Sequence, residues 1–323
     1  MKYVFLDDNY DTGHILMRDL ESDRDCLVMY RNRLRRNRFL NRLLGTRIQN
    51  WLRKLSLSWL WYRMVFRLGC GSDTKVITMT IYWYDMEMVD FLKKTYPKAK
   101  LVFLLRDTVQ SKTEEVEGFS IDWLKKKFDL ILSYDHLHDV PVYGLTYAPV
   151  FMSKIDEIVR EQTTCIYDIV LMAVAKDRIQ KIHELYHHMM EKGVKPFFFV
   201  SHANPSDQLE GSGIIYAEFN MKRLDFLKKE MESNCILEVL KGDAHSNTLR
   251  FWEAVMYNKK LYTNWKGVID SPYYDPKYIK VFDKPEEIDI SFIKERIKVD
   301  YNYGGELSPI KLLEIYNKKW KLN

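Results

Sequence analysis

The chain has 323 residues, 46% hydrophobic and 29% charged, about twice a common single-domain length, which excludes a small stapled module and a disordered or collagenous chain. Its net charge of +5 conceals an asymmetry: Cys26 to Ser72 holds 11 Arg and Lys and no Asp or Glu, and the remainder carries 39 basic against 45 acidic residues, a balance of −6. Four widely spaced cysteines, Cys26, Cys70, Cys165 and Cys235, form no CxxC pair, which excludes a zinc ribbon or dense disulfide framework and fits a reducing cytoplasm.

The N-terminus, MKYVFLDDNY, lacks the charged lead, apolar run and small-residue cleavage site of a signal peptide. Short apolar runs then alternate with helical stretches, the pattern of parallel βαβ units. Strands are expected at Tyr3–Leu6, Cys26–Tyr30, Val76–Ile81, Leu101–Leu105 and Leu130–Tyr134, with helices at Arg33–Leu68, Met86–Tyr96 and Ile121–Lys127. Pro149–Thr164 reads as a connection with a short helix. A second set of strands follows at Tyr167–Met172, Pro196–Val200, Gly213–Tyr216, Ile236–Val239, Leu261–Thr263 and Ile279–Phe282, with helices at Arg178–Lys192, Met221–Ser233 and Ser246–Tyr257. The expected fold is α/β: two Rossmann-like doubly wound domains facing a cleft. The first spans 1–150 and the second 151–308, with a last helix in 309–323 that crosses back to the first. In such sheets ligands sit at the carboxyl ends of the strands.

The most informative stretch is Lys241–Asn264, KGDAHSNTLRFWEAVMYNKKLYTN. It reads as strand, glycine-containing turn, polar residues and a helix starting near Ser246. A helix N-terminus offers unpaired N–H groups and partial positive charge, so Ser246, Asn247, Thr248 and Leu249 are placed to hold a phosphate or diphosphate. Arg250 adds charge suited to bidentate contacts, and Glu253 suits two ribose hydroxyls. The alternative is a capped helix with Glu253 solvated.

The run SNTLRFWEAVMYNKKLYTN resembles the donor-binding segment of GT-B glycosyltransferases, in particular the branch of bacterial capsule, lipopolysaccharide and exopolysaccharide synthesis. Supporting stretches are YPKAKLVFLLRD at 96–107, FDLILSYD at 128–135 with YGLTYAP at 143–149, and IVLMAVAKDR at 169–178, so the likeness spans about Val76 to Phe282. The resemblance implies that Glu253 contacts the donor ribose, that Ser246, Asn247 and Thr248 cradle the diphosphate, and that Lys176 or Arg178 meets the phosphates. Two departures stand out. Retaining members carry a glutamate eight residues before the ribose-binding one, where this chain has His245, which tilts toward inversion. Ala173 and Ala175 replace a loop glycine that would let backbone approach the phosphate.

Inverting transfer needs a base to take the acceptor proton. Candidates are Asp8 beside Asp7, His14 after a Thr12-Gly13 turn, and Asp107, each with a capping or ion-pairing alternative. His202, after the strand FFFVS, is placed to stack on or bond the donor base. His136, His138 and Asp139 suggest a metal-like cluster without supporting ligand spacing, so no metal or cofactor is expected beyond the nucleotide-sugar donor. In the basic segment, Arg35, Arg36, Arg42, Arg53 and Lys54 interleave with apolar residues, Trp51 and Trp59 among them, at helical spacing. That resembles an interfacial helix drawn to anionic lipid, the alternative being an apolar face packed on the sheet. No nucleic-acid-binding pattern accompanies the charge.

The expectation is a metal-independent transferase acting on a glycan or lipid-linked acceptor, cytoplasmic and peripheral at the inner membrane face. The alternatives are a nucleotide-sugar epimerase and a catalytically silent GT-B-like subunit that binds a partner or membrane.

Overall fold

A computed structural model describes residues 1–7, 10–33, 46–67, 69–161, 164–240 and 246–322. They form two compact units, Met1–Ser153 with Leu307–Asn323, and Lys154–Glu306. The strands of unit 1 are β1 (Tyr3–Asp7), β2 (Cys26–Tyr30), β3 (Val76–Met79), β4 (Lys100–Leu105), β5 (Leu130–Ser133) and β6 (Thr146–Tyr147). Its helices are α1 (Tyr10–Leu16), α2 (Arg18–Glu21), α3 (Thr46–Lys54), α4 (Ser58–Phe66), α5 (Met86–Thr95), α6 (Val109–Glu115), α7 (Ile121–Lys127) and α8 (Asp139–Tyr143). Unit 2 contains α9 (Asp156–Glu161), β7 (Tyr167–Val174), α10 (Ile179–Glu191), β8 (Pro196–Ser201), β9 (Ile215–Ala217), α11 (Arg223–Met231), β10 (Ser233–Glu238), α12 (Leu249–Met256), β11 (Lys260–Thr263), β12 (Ile279–Val281) and α13 (Ile290–Lys294). The chain ends with α14 (Lys311–Trp320).

Both sheets are six-stranded, in the orders β2-β1-β3-β4-β5-β6 and β12-β11-β10-β7-β8-β9, and every strand pair is parallel. The near-continuous apolar runs of YVFLD, VITM and KLVFLL follow from this, because a parallel sheet is covered on both faces. All residues of β1 and β3 are buried. The two Rossmann-like sheets expected from the sequence are therefore present, with β6, too short for a periodic signal, as the strand not anticipated.

The long helix expected over Arg33–Leu68 is not continuous. Residues 34–45 lie outside the described residues, and α3 and α4 are separated at Leu55–Leu57. Ser56 takes a left-handed φ of 57°. Ser56 N donates to Arg53 O and Leu57 N to Leu52 O, the paired bonds of a Schellman cap. The Thr12-Gly13 turn also differs: Gly13 is a buried residue inside α1. A Cβ there would lie 2.6 Å from the Tyr30 ring, so glycine lets α1 settle onto β2.

Helix α14 packs on the first sheet. Tyr316 is fully buried, its ring 6.5 Å from both Tyr3 and Phe5 and its hydroxyl 2.8 Å from Thr78 Oγ1. Tyr3 donates to Asn317 Oδ1 at 2.7 Å, and Leu312 is fully buried beside them. Tyr316→Ala is expected to destabilise unit 1 by about 3–5 kcal/mol, and Tyr316→Phe by only about 1 kcal/mol, read as midpoint shifts in urea denaturation. Equal losses in the two variants would show that ring packing is not what holds α14.

Candidate functional site

In unit 2, β7 lies between β10 and β8, so the chain's connections reverse direction there. In open parallel sheets ligands bind at the carboxyl strand ends beside such a reversal. Arg178 joins those ends, donating from Nε to Val174 O at 3.0 Å and from Nη1 to Val239 O at 2.5 Å. Glu238, the last residue of β10, is buried and accepts from the hydroxyls of Thr248 and, at 2.6 Å, of Thr263 at the end of β11. Burial raises its carboxyl pKa, and the two hydroxyl bonds oppose that.

Thr248 is thereby fixed as the N-cap of α12, its Oγ1 accepting from Arg250 N at 3.2 Å. The first turn of α12 thus sits at the crevice, where its N–H groups and partial positive charge favour an anion. Ser246 is buried just before it, and Leu249, its first residue, is half-buried. Asn247 Oδ1 is buried with no hydrogen-bond partner among the described residues. It is an acceptor at the loop, matched to a hydroxyl or N–H donor.

Lys176 after β7 and His202 after β8 are both exposed, with φ of 42° and 56°. Left-handed backbone at non-glycine residues costs of order 1–3 kcal/mol and concentrates in functional loops. Two such residues at the carboxyl ends of adjacent strands mark this edge of the sheet. Residues 241–245, including His245, lie outside the described residues.

Glu253 and Arg250 turn inward instead of toward the loop. Glu253 is fully buried, with one oxygen taken by Arg223 and the other 2.7 Å from Arg250 Nη1. Arg250 also lies 3.7 Å over the Phe226 ring, donates to Met172 O at 3.2 Å and faces Glu230 at 3.8 Å. The sequence expectation places these two residues on the ribose and the diphosphate; in this structure their polar atoms bond inside the unit. Burial pushes the Glu230 carboxyl up to about 7 and the Arg250 guanidinium down to about 10. Arg223 and Glu230, both on α11, were not anticipated, because nothing in the local sequence ties them to α12.

In unit 1, β1 lies between β2 and β3. Asp7 at its end is buried and pairs with Arg106 Nη1 at 2.5 Å, while Trp83 Nε1 donates to Asp7 O at 2.7 Å. Asp8 lies outside the described residues. His14, on α1, places Nδ1 2.7 Å from Glu21 Oε2, and Tyr30 donates to the other oxygen of Glu21. Burial and then the Glu21 bond hold the Tyr30 phenol far above its ordinary pKa. Tyr10 stacks on His14 at 4.7 Å, and the Arg33 guanidinium lies 3.9 Å over Tyr10. A carboxylate only accepts, so Nδ1 is the donor in this bond, and in the neutral ring Nε2 is the nitrogen that presents a lone pair. Glu21 is the orienting partner that sequence reasoning missed.

Asp107 is exposed and paired with Lys112 at 2.7 Å. Asp135, His138 and Asp139 bring one potential ligand atom each within 4.8 Å of one another. Two of the carboxylate oxygens cap backbone: Asp139 Oδ2 accepts from Val109 N, and Asp135 Oδ1 from Leu137 N and His138 N. Of the basic segment, Trp51, Arg53, Lys54 and Trp59 are exposed on or beside α3 and α4. Arg35, Arg36 and Arg42 lie outside the described residues.

No protein-family model matches the chain, and no curated protein matches it. Among solved structures it is similar to HepE of Anabaena, in complex with UDP and glucose, at 10% identity and a TM-score of 0.57 over 100% of both chains. It is also similar to UDP-GlcNAc 2-epimerase of Methanocaldococcus jannaschii, at 13% identity and a TM-score of 0.53 over 98% of this chain and 100% of that one. At these identities the likeness is one of fold, and the fold is the two-domain Rossmann-like α/β architecture of the GT-B type.

Proposed function

We propose that the chain is a glycosyltransferase that moves a sugar from a nucleoside-diphosphate donor to a glycan or lipid-linked glycan acceptor. Its setting is cell-surface polysaccharide synthesis at the inner face of the cell membrane. The observation that carries this reading is the carboxyl edge of the second sheet. There Arg178 spans β7 and β10, and Glu238 pins the α12 N-terminus beside a buried acceptor, Asn247 Oδ1, that has no hydrogen-bond partner among the described residues.

The donor lies on unit 2. The α12 N-terminus, Lys176 and Arg178 offset the diphosphate charge without a divalent metal, Asn247 accepts from a donor hydroxyl, and His202 meets the base. Glu253 and Arg250 act as positioning residues that hold α12. In unit 1, His14 Nε2 takes the proton of the acceptor hydroxyl. The acceptor oxygen bonds to the anomeric carbon as the bond from that carbon to the β-phosphate oxygen breaks, and the nucleoside diphosphate leaves with the electron pair. Glu21 holds the imidazole in the tautomer this requires and stabilises the imidazolium that forms.

The fold shared with a nucleotide-sugar epimerase over 98% of the chain supports a second reading, in which the donor itself is the substrate. Product analysis with and without an acceptor separates the two. A catalytically silent subunit would bind nucleotide or lipid and transfer no sugar.

A thermal-shift panel of UDP, GDP, CMP, dTDP and their sugars is expected to raise the melting temperature with one nucleotide family. At a hundredfold excess over Kd the stabilisation is about 2.7 kcal/mol, and a flat panel would sink the donor assignment. Lys176→Ala and Asn247→Ala are each expected to weaken that nucleotide's binding about tenfold. Glu253→Ala breaks a buried ion pair and is expected to cost about 3–5 kcal/mol of unit 2 stability in denaturant titration. A stable Glu253→Ala variant with weakened donor binding would restore the ribose contact. His14→Ala is expected to lower kcat by about 10²–10⁴ with donor Kd unchanged, and Glu21→Ala to lower kcat without altering the nucleotide thermal shift. Full turnover in His14→Ala would move the base elsewhere.

A further inference from the structure

Helices α3 and α4 carry two faces. Leu52, Trp61, Tyr62, Val65 and Phe66 are buried in the first unit's core, and Tyr62 donates to Asp85 Oδ2 at 3.0 Å, so the pair is held firmly against α5. On the other side, Trp51, Leu55, Trp59 and Met64 are 58%, 50%, 47% and 44% exposed. Arg47, Arg53, Lys54, Arg63 and Arg67 are exposed among them, and no acidic residue occurs between 46 and 67. Trp51 and Leu55 are separated by four residues, as are Trp59 and Arg63, so on each helix the exposed pair shares a face.

Two tryptophans, a leucine and a methionine left in water beside five cations are not explained by packing, since the same helices bury other aromatics completely. Nor does the charge need these side chains for solubility. Each residue type fits one environment: tryptophan rings settle at the headgroup level of a bilayer, leucine and methionine enter the acyl boundary, and Arg and Lys stems extend to lipid phosphates. A nucleic acid would use the cations and aromatic faces but leave Leu55 and Met64 unexplained. Protein interfaces also favour Trp, Met and Arg, but a patch with five cations and no acidic residue would then need a uniformly acidic partner, whereas an anionic bilayer supplies that charge over its whole surface. Among the described residues no helix is long and apolar enough to cross a membrane, so the contact is interfacial.

We propose that the outer face of α3 and α4, with Trp51, Leu55, Trp59 and Met64 inserted and the five cations around them, docks the protein on an anionic phospholipid surface. This deepens the lipid-linked acceptor reading and rests on it only for why a membrane is needed. The helix break at Ser56 suits this role: its Schellman cap turns the chain between two short helices, so that each presents its own exposed tryptophan.

The test is co-sedimentation of the full chain with vesicles of phosphatidylcholine alone or mixed with phosphatidylglycerol. Binding is expected to the mixed vesicles only, and to fall as salt screens the cations. The combined Trp51→Ser, Leu55→Ser and Trp59→Ser variant is expected to lose at least about tenfold in vesicle affinity. Replacing Arg53, Lys54 and Arg63 by Gln is expected to lose about fivefold for each charge at low salt. All six positions are exposed, and unchanged melting and nucleotide thermal shift confirm intact folding. The proposal is overturned by equal binding to neutral vesicles, by vesicle binding that survives the triple serine variant, by retention on duplex or single-stranded nucleic acid in place of vesicles, or by self-association that covers the tryptophans. Vesicle binding together with a flat nucleotide panel would remove the transferase reading and leave the docking surface standing.

Discussion

A buried carboxylate whose hydrogen-bond partners among the described residues are both hydroxyls organises the second unit. Glu238 ends β10 where the sheet's connections reverse, and leaving it unsatisfied in that position would cost several kcal/mol. Its two bonds go to Thr248 and Thr263, which belong to the start of α12 and the end of β11. Satisfying one acid therefore brings the helix N-terminus to the strand end, where its dipole and first-turn N–H groups face the crevice. Arg178 does the complementary work on the other side of the reversal, tying β7 to β10 through two carbonyls. Together the two residues fix how the strand ends and the start of α12 meet at this edge of the sheet.

The ionic cluster behind α12 ties this region together. Arg223, Glu230, Arg250 and Glu253 are largely withdrawn from water, and charges held there are tolerable only as a mutually compensating set. Glu253 pairs with both arginines, while the Glu230 oxygens make no hydrogen bond among the described residues, which is why burial dominates and raises its carboxyl pKa. Because Arg250 also reaches the Met172 carbonyl of β7, the cluster couples α11, α12 and the central strand.

Much of this architecture is legible in the sequence because a parallel sheet writes itself as continuous apolar runs. YVFLD, KLVFLL and PFFFVS are all strands, and Ser-Asn-Thr before a helical run does mark an N-terminus, with Thr248 as its cap. What the sequence does not carry is which way a polar side chain turns. Glu253 and Arg250 sit one helical turn from the cap and read equally well as ligands or as half of an ion pair whose other half, Arg223 and Glu230, is 20 or more residues upstream. His14 is the converse case. Its chemistry was visible, but Glu21 lies seven residues further on, across a helix junction, so no single helical period predicts their contact.

The basic segment is where charge and packing separate most clearly. Amphipathic spacing groups Ile48, Trp51, Leu52 and Leu55 as one apolar stripe, yet the structure divides them: Leu52 joins the core and Ile48 packs against it, while Trp51 and Leu55 face outward. The stripe is wider than the core requires, and the surplus stays in water next to cations. That division follows from the geometry of α3, because a helix of nine residues against a flat support buries less than half its circumference. A wholly buried stripe would account for the apolar residues and leave the arginines to solvation. The outward remainder joins hydrophobicity to positive charge on the same surface, and the proposed lipid contact rests on that combination more than on the net charge of +5.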